Sequence, residues 1–430
     1  MSHLCHHLYT KTNMKRTITI VSCIFFVFFS HTLFALTLED LQNAAVQNRK
    51  LIEKYRIQIS QQETALKMNN SRYWPTLDID YSLTKSDKHH SRISQYTEFE
   101  SILSYSLFSG FDHYFQKHAL DRLKNSKTFE LNSMVQDIKY IVSANYLHLF
   151  DSKSLLTVAE DEFNLLKKRY HDAQNRHKVG IIKKNDLLKI QVEMDHAEQQ
   201  RDKASAAFDK NLDEIAYETG MTIDFDEMPF NEFKALPETK DRVFYLSRAA
   251  RRNEIKTLEQ LIASEEMNVQ SLHSKYYPSI DLAAEYYRYD DDYFFGAGEH
   301  EEQDIRLKLS MKMNLFNGFK DYHSILSKKM DVNRLKCDLE ELNNKLANEV
   351  DKTFSDYNVS VKNLKVSQKS IAQAEENLRI TDMSFNQGLA TTADILDAIY
   401  YLSRAKYNYI YAGGELFLNY YKLTRLADDF

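Results

Sequence analysis

The sequence predicts a mainly α-helical chain with a small membrane β-barrel portion: long coiled-coil helices that close into a helical barrel, plus four β-strands per chain, in two internal repeats. Three observations carry this. Helix breakers are scarce, with 9 glycines and 4 prolines in 430 residues, where about 7% and 5% are usual. Landmarks recur at one spacing: Gly180 and Gly388 lie 208 residues apart (388 − 180), as do Asp186 and Asp394, and Gly110 and Gly318. Finally, four short segments switch from helical periodicity to strict alternation.

Residues 1–35 read as a secretory signal peptide. Lys15 and Arg16 precede an apolar stretch from Ile18 to Phe29, and Ala35 offers a small residue for cleavage. A lipoprotein signal ending at Cys23 is the rival, but the apolar run continues past that cysteine. Beyond the signal only Cys337 remains, so no internal disulfide can form and the exported chain must be held by packing or assembly. With 56 basic and 62 acidic residues the net charge is −6, which argues against nucleic acid as a partner.

The first repeat spans residues 36–220. Thr37 caps a helix predicted over Leu38 to about Ser71, with acids in its first turn. After Pro75, Leu77, Ile79, Tyr81 and Leu83 alternate with polar residues, and Phe99 to Leu107 do so again beyond a polar loop. Phe111 to Val179, 69 residues without Gly or Pro, predicts a helix of about 100 Å. Val179-Gly180 ends it, and a return helix starts near Asp186. Residues 221–240, with Pro229 and Pro237, form a linker at mid-height. The second repeat, 241–430, runs through the same plan. Strands are predicted at Ile280–Tyr286 and Ile305–Leu315, a long helix over Phe319–Gln387, and a return helix from Asp394 with a 3,4-spaced seam from Ile395 to Leu416.

The strands have the length expected of tilted membrane strands, and aromatic residues flank them: Tyr73, Trp74, Phe108 and Phe111 in one repeat, Tyr276, Tyr277, Phe316 and Phe319 in the other. A soluble sheet with one wet face is the alternative. Four strands cannot close a barrel, and open edges in lipid are too costly to exist. Three chains would supply twelve strands, within the known range.

The repeated order of motifs resembles the TolC family of outer-membrane channel proteins. Those motifs are Tyr-Trp-Pro-Thr-Leu-Asp and Tyr-Tyr-Pro-Ser-Ile-Asp at strand starts, Leu-Phe-Ser-Gly-Phe and Leu-Phe-Asn-Gly-Phe at strand ends, and Gly-Leu-Ala-Thr-Thr-Ala-Asp-Ile-Leu-Asp after the last long helix. The resemblance implies a homotrimer in outer-membrane lipid, a twelve-stranded barrel, and a helical tunnel through the periplasm that tapers to a closable mouth. It implies a passive exit duct for small-molecule efflux, or alternatively for type I protein secretion. The partners implied are a periplasmic adaptor and an inner-membrane proton-driven or ATP-driven transporter.

By the same resemblance, Asp394 and Asp397 stand where the family has an acidic entrance ring. Such a ring would attract cations and raise the carboxyl pKa values by crowding. A first-turn acid capped by Thr391 explains Asp394 alone about as well. Asp186 matches the sister aspartate, whose family latch partners are a tyrosine and an arginine. Those positions here are Phe385 and Ala390, so that latch is absent, and Lys183 or Lys184 becomes the candidate partner for the ring. Gly180 and Gly388 are the expected adaptor contacts.

No phosphate loop, nucleophile elbow or metal-ligand spacing is present, so neither an enzyme nor a cofactor is expected. His89-His90 and the tip Tyr286–Tyr293 read as solvated loop. A pore-less coiled-coil scaffold remains the other class, and it leaves the amphipathic strands without a use.

Overall fold

The computed structural model describes residues 36–85 and 95–430. The expected signal peptide and His89-His90 lie outside them. In chain order the helices are α1 (Leu38–Asn48), α2 (Lys50–Ser71), α3 (Asp112–Lys178), α4 (Lys184–Thr219), α5 (Arg242–Ala249), α6 (Asn253–His273), α7 (Lys320–Asn386) and α8 (Thr392–Leu426). The strands are β1 (Thr76–Lys85), β2 (Gln95–Ser109), β3 (Ser279–Asp290) and β4 (Glu301–Lys312).

The two long helices have 67 residues each, because no proline or helical glycine interrupts them. Each lies against shorter helices placed end to end. α3 packs on α2 and α6 towards the sheet and on α4 and α8 towards the far end, and α7 packs on α6, α5 and α8.

The linker crosses the middle of α3. There Tyr146 is fully buried, and its ring stacks on Phe230 at 4.6 Å. The Tyr146 hydroxyl accepts the Phe230 N–H at 3.1 Å. Burial pushes that phenol far above its ordinary pKa, so the anchor is a neutral hydroxyl.

One prediction fails here. The leading helix is broken at Arg49, whose backbone is extended, and its counterpart is broken between Ala249 and Asn253. The break is a tertiary effect. The Asn48 side chain donates to the Thr219 carbonyl at 2.9 Å, and Arg49 pairs with Glu218, both at the end of α4. Helix continuity is given up where the chain is tied to its neighbour.

The strands form one antiparallel sheet in the order β1-β2-β3-β4. β2 and β3 join the two repeats directly, and this pairing extends the strands into the segments expected to be loop. Gln95 to Glu98 are strand, and so are Tyr287 to Asp290 of the expected tip. Register places Leu103 opposite Leu77 and Ala284, and Ala284 opposite Leu307, so these residues share one face. On β1 and β4, Leu77, Ile79, Ile305, Leu307 and Leu309 are all more than 60% exposed. The opposite face carries rows such as Asp80, Glu100, Tyr287 and Asp304. Within the chain β1 and β4 are edges.

All eight flanking aromatic residues sit at the end of the sheet that meets the helices. Phe108 and Phe111 meet edge to face at 5.1 Å, as do Phe316 and Phe319 at 5.3 Å, and Tyr277 joins the first pair at 5.9 Å. Trp74, Phe316 and Phe319 are exposed. Among the described residues no helix is long and apolar enough to cross a membrane.

Candidate functional site

The end of the molecule far from the sheet is built from the two glycine turns. In the first, the Ile181 N–H donates to the Arg176 carbonyl at 2.9 Å and the Gly180 N–H to that of His177 at 3.0 Å. In the second, Leu389 donates to Ser384 at 2.9 Å and Gly388 to Phe385 at 3.1 Å. Both are Schellman ends, with glycine at φ 76° and 77°. A Cβ at either glycine would meet nothing within 4 Å, so the backbone conformation alone requires glycine.

The helix starts differ. At α8, Thr391 and Asp394 form a reciprocal capping box: the Thr391 N–H and hydroxyl donate to Asp394 Oδ2 at 2.7 and 2.8 Å, and the Asp394 N–H returns to Thr391 Oγ1 at 3.2 Å. The backbone and then the side-chain bond from Thr391 hold the Asp394 carboxyl below its ordinary pKa. Within the chain Asp394 is the helix-capping acid, fully ionised at neutral pH. Asp397, one turn on, is exposed. At α4, Lys183 stands at the cap position and makes no side-chain cap, which leaves Asp186 without that partner.

Sequence reasoning missed the side chains that tie the two hairpins together. Arg169 of α3 forms an ion pair with Asp382 of α7. Arg176 donates to Asn386 Oδ1 at 3.0 Å, and its guanidinium lies 5.3 Å from the centre of the Phe385 ring. Phe385, one of the two positions that lack the family's latch residues, is thus held by an arginine from α3. Lys183 and Lys184 make no ion pair with a carboxylate among the described residues, so the expected lysine pairing is not formed within one chain. Beneath these contacts Phe163, Leu166, Ala197, Ile395 and Ile399 form a small core shared by α3, α4 and α8, with Leu378 and Phe385 of α7 packed on it. No group of residues suited to hold a metal is found among the described residues.

Residues 246–427 match the family model described as outer membrane efflux protein. The match lies within the second repeat. Over 91% of the chain the fold is similar to that of solved outer-membrane channels. A membrane protein from Pseudomonas aeruginosa superposes with a TM-score of 0.78 at 12% identity, covering 91% of both chains. The Campylobacter jejuni CmeC outer membrane channel gives 0.76 at 12% identity, over 91% of this chain and 86% of that one. The Neisseria gonorrhoeae MtrE outer membrane channel, described in an open state, gives 0.75 at 13%, over 91% and 88%. No curated protein sequence matches the chain.

Proposed function

We propose that this chain is one of three copies of a passive outer-membrane duct, through which small molecules leave the cell. The observation that carries the reading is the four-stranded sheet with an exposed apolar face and two unpaired edges. Such edges cannot stand in lipid, and pairing β1 of one copy with β4 of the next removes all of them at once. The sheet lies in the outer membrane, and the helices reach into the periplasm as a tunnel about 100 Å long.

The mouth is the end built by Gly180 and Gly388. Asp394, Asp397 and Asp186 from three copies ring it, and the Arg169–Asp382 and Arg176–Phe385 contacts hold it narrow. A periplasmic adaptor docks at the two turns and strains those contacts. Energy comes from an inner-membrane transporter, since the family function is conduction and the chain carries no nucleotide motif.

Deleting the gene tests the reading. Increased susceptibility to dyes and antibiotics with an unchanged secreted-protein profile is expected. Loss of a secreted protein with unchanged susceptibility would assign the duct to type I secretion instead.

A further inference from the structure

We propose that the groove between α3, α4 and α8 is a binding site for hydrophobic organic cations. The groove has a volume of about 1170 Å³, somewhat above the roughly 300–1,000 Å³ of drug-sized ligand sites. Its floor is apolar, from Leu155, Leu166, Ile399 and Leu418. Tyr400, Tyr407 and Tyr411 line one wall with aromatic rings, which attract cations through their faces.

The charged groups come from all three helices. α3 supplies Asp151, Glu162 and His148. α4 supplies Glu193, His196 and Lys203. α8 supplies Asp397, Glu415 and Arg404. Five carboxylates thus face two permanent cations, and the surplus is negative. Asp151 is seated by an absence: a Cβ on Gly414, in the middle of α8, would strike its carboxylate. Burial pushes Asp151 up to about 7 and raises Glu162, so these two half-buried acids are poorly supported in their charged form, and it lowers His148, which stays at the exposed rim. An organic cation supplies the missing counter-charge to the two acids, and its apolar body covers the floor. A small hydrated ion could do only the first.

The groove lies on the face of α8 that carries Asp397. It opens to the conduit if Asp397 rings the mouth, a point that rests on the duct reading. Binding itself does not rest on it.

Tetraphenylphosphonium and tetraphenylborate have the same shape and opposite charge. Equilibrium dialysis of each against the detergent-solubilised trimer tests the site. Tetraphenylphosphonium is expected to bind and tetraphenylborate to bind far more weakly. Binding should strengthen from pH 6 to pH 8 as Asp151 ionises. Asp151→Asn combined with Glu162→Gln should weaken it roughly fivefold or more, and Gly414→Leu should block it. The charge variants decide the matter if Gly414→Leu does not assemble. Equal binding of both ions, or unchanged binding by the charge variants, would overturn the proposal. If a neighbouring copy fills the groove in the trimer, neither ion binds and the proposal also fails. Planar-bilayer conductance of the same preparations separates the two readings. A trimer that conducts but does not bind refutes the site alone, and one that binds but does not conduct refutes the duct.

Discussion

The two repeats share a plan but fasten it with different chemistry. At the break in each leading helix an asparagine reaches the end of the return helix: Asn48 to the Thr219 carbonyl at 2.9 Å, and Asn253 to Asp428 at 2.8 and 3.0 Å. The neighbouring ion pair is reversed in sign. Arg49 of the first leading helix meets Glu218, whereas Glu254 of the second meets Arg425. The second pair is also enlarged, since Arg425 contacts Asp137 at 2.6 Å and Asp428 at 2.6 Å, and Arg252 joins the cluster. The comparison teaches that the position needs a pair of opposite charges, not a particular residue at either end. In each pair one partner, Glu218 or Arg425, is less than a tenth exposed, so leaving it as a lone charge would be expensive.

The largest expected effect comes from breaking this complementarity. Glu218→Arg would place two guanidinium groups together and should destabilise the folded chain by about 3–5 kcal/mol. Adding Arg49→Glu recreates the polarity of the second repeat and should recover most of the loss. Chemical denaturation of the single and double variants measures both. A double variant no better than Glu218→Arg would show that the two repeats are not interchangeable in this way.

The turns between sheet and long helix sharpen the contrast. Gly110 and Gly318 are both left-handed, as are Phe111 and Phe319 after them. A Cβ on Gly110 would strike the Ser274 carbonyl oxygen, whereas at Gly318 it would meet nothing within 4 Å. Gly318→Ala should therefore cost only the conformational penalty of about 1–2 kcal/mol. Gly110→Ala should cost clearly more, read as the lower melting temperature of the two.

At the proposed mouth, the tie between hairpins comes from α3 and α7, and Arg169 is its more buried half. Arg169→Ala should loosen the closed state by on the order of 1–3 kcal/mol, seen as higher single-channel conductance. Unchanged conductance would remove this pair from the closing contacts.

The smallest effect concerns the caps. Lys183→Thr would give α4 the box that α8 has, and should stabilise it by up to about 1 kcal/mol. Thr391→Ala should release Asp394 from its cap. Because the folded pKa of Asp394 is lowered, its contribution is present above the ordinary carboxylate range and is lost as pH falls through the folded value. Thr391→Ala should therefore lower the melting temperature at pH 7 more than at pH 3. Equal losses at both values would assign the effect to Thr391 alone.

What could be read in advance follows from where the determinants lie. The long helices were predicted to within a residue at each end, because their limits are local: a Gly-Phe start and a Gly turn. The cap at Thr391 was equally local. The breaks at Arg49 and near Arg252 were not visible, because no glycine or proline marks them and their partners lie far along the chain. The β2–β3 pairing is likewise a contact between repeats, with no signal in either strand. Arg169 and Asp382 are two among many charges on long helices, and only packing selects them. One missed feature did leave a trace: Gly413-Gly414 inside a strong helical pattern signals a close approach, and Asp151 is what approaches.

The central claim is that the sheet closes only when copies pool their strands. Native mass spectrometry of the detergent-extracted protein tests it most directly. The account predicts a trimer that holds together in detergent. A stable monomer that stays soluble without detergent would contradict it.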